Sequence, residues 1–229
     1  MNKPRYGKPN VAYVSTWFSD PNDKPMWALN LMKYRPIADY VDGRDLHISG
    51  ADADMLYNPT GPLAEVGGRV MLATDVLHQI SGDQILWDRV AVAYYPKRLA
   101  MIEMQQLPSF IDLHAHKDAA MEFTIVMASM PTENCPQPAD WSMLNEDDLL
   151  LVQVCNEQST VDFGSLVTSQ RIGDYNVEGV IVGDERLWTR ATWDIIARTE
   201  VDKLVAASTN LAEASTYAMI LEPLLDMML

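Results

Sequence analysis

Two stretches decide the reading of this chain: WDRVAVAYYPKRLAMI at 87–102 and WDIIARTEVDKLVAAS at 193–208. They align without a gap at an offset of 106, from 87 to 193, sharing Trp, Asp, a lysine (Lys97 with Lys203) and a series of apolar positions. Ahead of each lies a Val-containing run, VMLATDV at 70–76 and VIVGDER at 180–186. Behind each lies another short apolar run, FTIVMA at 123–128 and YAMIL at 217–221. Self-similarity at a fixed offset outranks any single motif, because it bears on architecture before chemistry. Two copies make a fused pair, not a solenoid.

Working outward, the first half reads as strand, helix, strand, strand, helix, strand. MWALNLMKY (26–34) is a strand. Ser49-Gly50-Ala51-Asp52 has the form of a capping box opening a helix to about Tyr57, and a second helical piece ends at Gly67-Gly68. Strands are expected at about 69–79 and 86–95, turning at Ser81-Gly82-Asp83. Pro96 is placed to begin a helix running to about Gln106, Ser109 to cap another, and a strand follows at 122–129. The second half repeats the order: a strand LLLVQVCN, a helix near 160–173, strands near 177–186 and 192–199, a helix near 201–212 and a strand near 216–222. One further strand is expected at 11–18. The order βαββαβ is ferredoxin-like. The fold class expected is therefore α+β, with two tandem ferredoxin-like repeats whose sheets cover one another as a fused dimeric α+β barrel within one chain. Residues 1–25 form an N-terminal arm, 26–130 the first repeat, 131–147 a linker and 148–229 a degenerate second repeat.

Composition narrows the partners. The 229 residues are 48% apolar and 21% charged, ordinary for a globular chain. The net charge is −15, from 17 basic and 32 acidic side chains. Nucleic-acid binding and attachment to an anionic membrane both draw on clustered Lys and Arg, so neither is expected. The two cysteines, Cys135 and Cys155, have no metal-site spacing; Cys155 reads as buried and Cys135 as exposed. No secretory leader pattern or membrane-length apolar run is present, so a cytoplasmic protein is expected.

Several stretches carry a resemblance: MWALNLMKYRPIADYVDGRD (26–45), GGRVMLATDV (67–76), WDRVAVAYYPKRLAMIEMQ (87–105) and HAHKDAAMEFTIVM (114–127). Together they resemble the dimeric α+β barrel superfamily, and within it a family defined by a domain of unknown function. The resemblance covers roughly the first 130 residues. It implies a small-molecule site in a barrel, in a group that includes monooxygenases, isomerases and cyclases. Many members work without metal or cofactor and others bind haem, so no cofactor is expected and haem stays open.

The residues offering chemistry lie mostly in the first repeat. His114 and His116 titrate nearest neutral pH and are candidate proton carriers. On a helix they point about 200° apart, which argues against a shared metal ion. Glu103 could complete an acid/base couple with either. Trp87, Arg89, Ala91, Ala93 and Tyr95 share one strand face, a mixture suited to a pocket wall. Equally, Trp87 and Trp193 can be core anchors and Arg89 the partner of a carboxylate. Asn30 interrupts an apolar strand and Arg69 follows two glycines; Tyr57 borders the same region. Asn30, Tyr57, Arg69 and Arg89, with Trp87 and Tyr95, are the candidate substrate contacts. There is no GxGxxG, P-loop, GxSxG or HExxH motif and no metal site.

The function expected is an enzyme acting on a small, largely apolar molecule by acid/base rearrangement, cyclisation or cofactor-independent oxygenation. The alternative is a barrel that binds a small molecule without turning it over, or serves in a stress response. Beyond the ligand, the partner considered is a second copy, as a homodimer of fused barrels.

Overall fold

The computed structural model describes residues 4–135, 144–145, 147–183, 185–211 and 215–224. Most of the expected linker, 131–147, lies outside these. Nine strands are found among the described residues. These are β1 (Lys8–Pro9), β2 (Met26–Tyr34), β3 (Arg69–Ser81), β4 (Arg89–Tyr95), β5 (Met121–Pro131), β6 (Asp148–Cys155), β7 (Ser169–Gly183), β8 (Arg190–Ala197) and β9 (Thr216–Pro223). Six helices accompany them: α1 (Val11–Thr16), α2 (Gly50–Leu56), α3 (Thr60–Glu65), α4 (Arg98–Met104), α5 (Pro108–Ala120) and α6 (Val201–Ser208). The fold is α+β.

The chain divides into two compact units. The first comprises Met1–Val70, Ala91–Ala128 and Val180–Glu185; the second comprises Met71–Val90, Ser129–Gly179 and Arg186–Leu229. Strands β3, β4, β5 and β7 each contribute residues to both.

In the first unit the strands are hydrogen-bonded in the order β1-β7-β5-β2-β4. In β2 Met26, Ala28, Leu29, Leu31 and Met32 are buried, on both faces of the strand, which is why its sequence shows little alternation. Helices α2 and α5 pack together. Their approach requires Gly50, where a Cβ would overlap the carbonyl oxygens of Arg35 and Ala120. The Ser49 hydroxyl caps α2, accepting from the Asp52 amide at 3.0 Å. Around this contact Met32, Ala38, Ala53, Ala119, Ala120 and Met121 form an apolar core, with Tyr6 from the N-terminal segment.

In the second unit the order is β3-β9-β6-β8, with β7 on the other side of β8. Strand β6 is antiparallel to both β8 and β9, and six of its eight residues are buried. Leu149, Leu151, Phe163, Ile196, Leu204 and Ile220 make the core on one of its faces.

Several elements depart from the sequence expectation, each for a local reason. The segment 11–18 is not a strand: Asn10 accepts from the Tyr13 amide at 3.1 Å and starts α1, and a 3₁₀ turn then buries Trp17. The helix expected near 160–173 is only a 3₁₀ turn, Phe163–Leu166. Gln153 holds that loop with its amide, donating to the Val161 carbonyl at 2.6 Å and accepting from the Phe163 amide at 3.0 Å. Helix α4 begins at Arg98, not Pro96, because the Asp23 carboxylate receives the Arg98 amide at 2.8 Å. Ser109 does not cap α5; Pro108 occupies its first turn and the Ser109 hydroxyl donates to Glu65 at 3.0 Å. Ser81-Gly82-Asp83 is not a tight hairpin turn, since β4 resumes only at Arg89. Cys135 is half-buried, its thiol accepting from the Asp174 amide at 3.3 Å, and Cys155 is half-buried too; both are free thiols.

The gapless Trp-Asp alignment also changes. Trp87 precedes β4 by two residues, whereas Trp193 is the fourth residue of β8. In the second unit it is Trp87 and Trp188 that pack on a common ring, Tyr217, at 5.5 and 5.1 Å between centroids.

Candidate active site around Lys117

Helix α5 places Phe110, His114 and Lys117 at i, i+4 and i+7, on one face. That face packs inward in the first unit. Lys117 is 8% exposed. Its Nζ donates to Asn30 Oδ1 at 3.3 Å. Asn30 is itself oriented by its own amide, whose Nδ2 donates to the Ala28 carbonyl at 2.9 Å. The amine lies 5.2 Å from the centroid of the Tyr57 ring and 5.8 Å from that of Tyr6. Two aromatic faces thus flank it, a setting that favours positive charge. Asp54, buried on α2, accepts from the Tyr34 hydroxyl at 2.7 Å.

Burial sets the protonation states. Loss of hydration pushes the Lys117 amine below its ordinary pKa, a shift the Asp54 carboxylate partly offsets. The same effect pushes the Tyr57 phenol well above its ordinary value, with Tyr95, Tyr6 and Asp54 adding to it. Tyr6 and Tyr95 are raised as well, chiefly by burial. His114 is pushed down to about 4 by burial and by the Lys117 charge, against Asp118. Its imidazole is neutral at pH 7. The Tyr6 hydroxyl and His114 Nε2 share a hydrogen bond of 2.9 Å. Arg5 fixes the segment carrying Tyr6, with Nε donating to Asp118 at 2.6 Å and a terminal nitrogen to Asp39 at 2.6 Å. The cluster therefore offers one basic amine, one amide oxygen, neutral phenols and a neutral imidazole, walled by rings of Phe110 and Tyr57. Such a set can hold and polarise an oxygen and move a proton beside it.

The candidate residues from the sequence distribute unevenly. Asn30, Tyr57 and His114 meet in this cluster, whereas the buried Tyr95 hydroxyl donates to the Met104 sulfur at 3.8 Å. His116 does not: it sits beside Tyr40 and Arg44, half-buried. Arg44 has only donors, so the 3.0 Å bond makes His116 Nε2 the acceptor. Nδ1 then carries the proton and donates to the Tyr40 oxygen at 2.7 Å. Glu103 couples with neither histidine; it forms an ion pair with Lys97 at 2.5 Å. Arg69 stacks over the Tyr94 ring at 5.1 Å. Arg89 and Trp87 belong to the second unit, where Arg89 donates through two nitrogens to Asp75 at 3.0 and 2.9 Å.

Lys117, Tyr6 and Asp54 were not singled out by the sequence. For Lys117 a signal existed: a lysine three residues beyond His114 and seven beyond Phe110, on the inward stripe of its helix. Among the described residues no group of three or more His, Cys, Asp or Glu side chains could hold a metal ion, and no helix is long and apolar enough to cross a membrane. Neither Nε2 of His114 nor either ring nitrogen of His116 is free to meet a haem iron. Nε2 of His114 is engaged by Tyr6, and both nitrogens of His116 by Tyr40 and Arg44.

No family model matches the chain, and no curated protein does. Among solved structures, the methylated RPA0582 protein is 29% identical, with a TM-score of 0.50; the match covers 57% of this chain and 98% of that one. The RPA0582 protein of unknown function from Rhodopseudomonas palustris is 25% identical, with a TM-score of 0.49, over 56% of this chain and 98% of that one. A mutant chlorite dismutase from Candidatus Nitrospira defluvii, in complex with cyanide, is 10% identical, with a TM-score of 0.44, over 90% and 94%.

Proposed function

We propose that the Lys117 cluster is the site of an enzyme acting on a small, largely apolar molecule that carries a carbonyl or enol oxygen, by acid/base rearrangement. The observation that carries this is the setting of Lys117: a buried amine whose single hydrogen-bond acceptor among the described residues is the neutral Asn30 amide. A buried polar group is normally fully partnered. Two positions on this amine are left for a ligand oxygen. Lys117, oriented by Asn30, holds that oxygen, the Tyr57 phenol donates to it, and the neutral His114 imidazole takes or returns the proton at the adjacent carbon. His116 and Glu103 stand outside this scheme.

The test is exchange of the α-protons of cyclohexanone in deuterated buffer, followed by NMR with ligand-binding shifts in the same samples. The wild-type chain is expected to speed exchange, and His114→Ala and Tyr57→Phe to lower that rate about 100-fold, the usual scale of a general acid or base. Binding without exchange would leave a barrel that holds its ligand unchanged. Absence of binding by folded protein would remove the site altogether.

The architecture we infer beyond α+β is a duplication: residues 26–130 and 148–229 as tandem ferredoxin-like repeats of one α+β barrel, with 1–25 an arm and 131–147 a linker. Two observations support it. Strands of the first half neighbour one another as β5-β2-β4-β3, and those of the second half as β9-β6-β8-β7, the same permutation of four. A match that uses 98% of the methylated RPA0582 chain needs only 57% of this one.

A further inference from the structure

We propose that Lys117 captures carbonyl compounds covalently, its Nζ forming a reversible imine with an aldehyde or ketone held between the Tyr6 and Tyr57 rings. This rests on the reading of the Lys117 cluster as a small-molecule site and names its substrate class. The geometry argues for it in three ways. First, a lysine buried to this degree is normally paired with a carboxylate; here the acceptor is an amide oxygen, at a long 3.3 Å. The neutral amine, which is the nucleophilic form, is therefore less disfavoured than it would be beside a hydrogen-bonded carboxylate. Lowering of the amine's pKa by burial acts in the same direction. Second, the flanking rings, centred 5.2 and 5.8 Å away, contribute most once the nitrogen is positively charged. They stabilise an iminium more than the neutral amine that precedes it, which is what accelerating its formation requires. Third, Phe110, buried beside the half-buried rings of Tyr57 and His114, gives the amine an apolar wall. Expulsion of water from a carbinolamine is favoured there.

The chemistry balances without a redox partner. The amine lone pair forms a C–N bond to the carbonyl carbon, and the carbonyl π pair moves to oxygen. That oxygen takes a proton from the Tyr57 phenol, while the nitrogen gives one up to His114; the phenol is restored from the protonated imidazole. The C–O bond of the carbinolamine then breaks as the restored Tyr57 phenol protonates its hydroxyl, and the proton that the iminium nitrogen sheds returns to the phenolate through His114. Water leaves, and the nitrogen lone pair closes the C=N bond. Hydrolysis runs the same steps backwards.

The experiment is reductive trapping. The full chain is incubated with butanal at neutral pH and treated with sodium borohydride, and the peptides are mapped by mass spectrometry. One butyl group is expected on Lys117, in excess over Lys8, Lys33 and Lys97, since each unit of pKa lowering raises the free-amine fraction about tenfold. Labelling at Lys117 should also level off at lower pH than labelling at the other lysines. Lys117→Arg keeps the cation but cannot form an imine; it should lose the label while butanal still shifts the His114 resonances. If wild type shows those shifts with label only on other lysines, the imine is wrong and the site stands. If folded wild type shows neither shifts nor label at Lys117, the imine and the site fall together.

Discussion

At Lys117 a helix spends a buried position on a charge, and the cost should be measurable. Its folded pKa lies below that of the unfolded chain, so the folded state resists protonation. The penalty is fully present below the folded pKa and fades as pH rises through the unfolded value. Lys117→Met should therefore stabilise the protein at pH 7, by about 1–2 kcal/mol on the scale known for replacing buried charges with apolar groups. In urea titrations the advantage should shrink toward pH 10 and above; an equal advantage at both pH values would refute it. His114 gives the complementary test. Its folded pKa of about 4 lies under the ordinary 6.5, so the unfolded chain binds more protons between those values. Stability should fall as pH drops through that window, by up to about 3 kcal/mol. His114→Gln should remove that part of the acid sensitivity, and unchanged sensitivity would show that His114 is not its source. The sequence made His114 and His116 equal candidates because imidazole chemistry is visible in a residue name. What separates them is the partner each meets, Tyr6 or Arg44, and those partners lie 108 and 72 residues away. The burial of Lys117 is hidden in the sequence for a related reason. A lysine on a helix is normally solvated, and only the position of its stripe hinted otherwise.

Among the elements, β2 was legible to the residue, because nine apolar-rich positions between Pro25 and a turn admit little else. Helix α2 was legible from its cap. Ser49→Ala should cost about 1 kcal/mol, the usual value of an N-cap, read as a lower urea midpoint. The misread elements share a mechanism. At 11–18 and 160–173 the backbone is steered by side chains, Asn10 in one case and Gln153 in the other, and no periodicity encodes such bonds. The loop after β3 is steered too. Gly82 has φ of +147°, and a Cβ there would sit 2.6 Å from the Tyr217 ring. That ring's hydroxyl donates to Asp83 at 2.7 Å, and Arg186 donates to both. Gly82→Ala should thus strain the backbone and displace Tyr217, costing roughly 1–3 kcal/mol. Near-ultraviolet circular dichroism, sensitive to Trp87 and Trp188 beside that ring, should change; an unaltered spectrum and midpoint would contradict the packing described.

For the molecule as a whole, the division of the chain is the least legible feature. Sequence suggests a cut between halves, yet four strands supply residues to both compact units. A repeat read from Trp-Asp could not reveal this, because the matching pairs occupy different points of their strands. The charge balance was legible at once, and it carries its own prediction. With a net charge of −15, self-repulsion opposes the folded state. Raising salt from about 0.02 to 0.5 M shortens the Debye length several-fold and should raise the urea midpoint. A midpoint that falls with salt would mean that ion pairs such as Arg89–Asp75 outweigh the repulsion.

The hydrogen bond between Tyr6 and His114 gives the protein a built-in reporter. Tyr6 is anchored through its neighbour Arg5, and its ring faces the amine of Lys117. A fluorine placed on that ring would sense charge on the amine directly. One resonance could then follow, in real time, whether the lysine is empty, protonated or occupied, before the identity of any natural ligand is known.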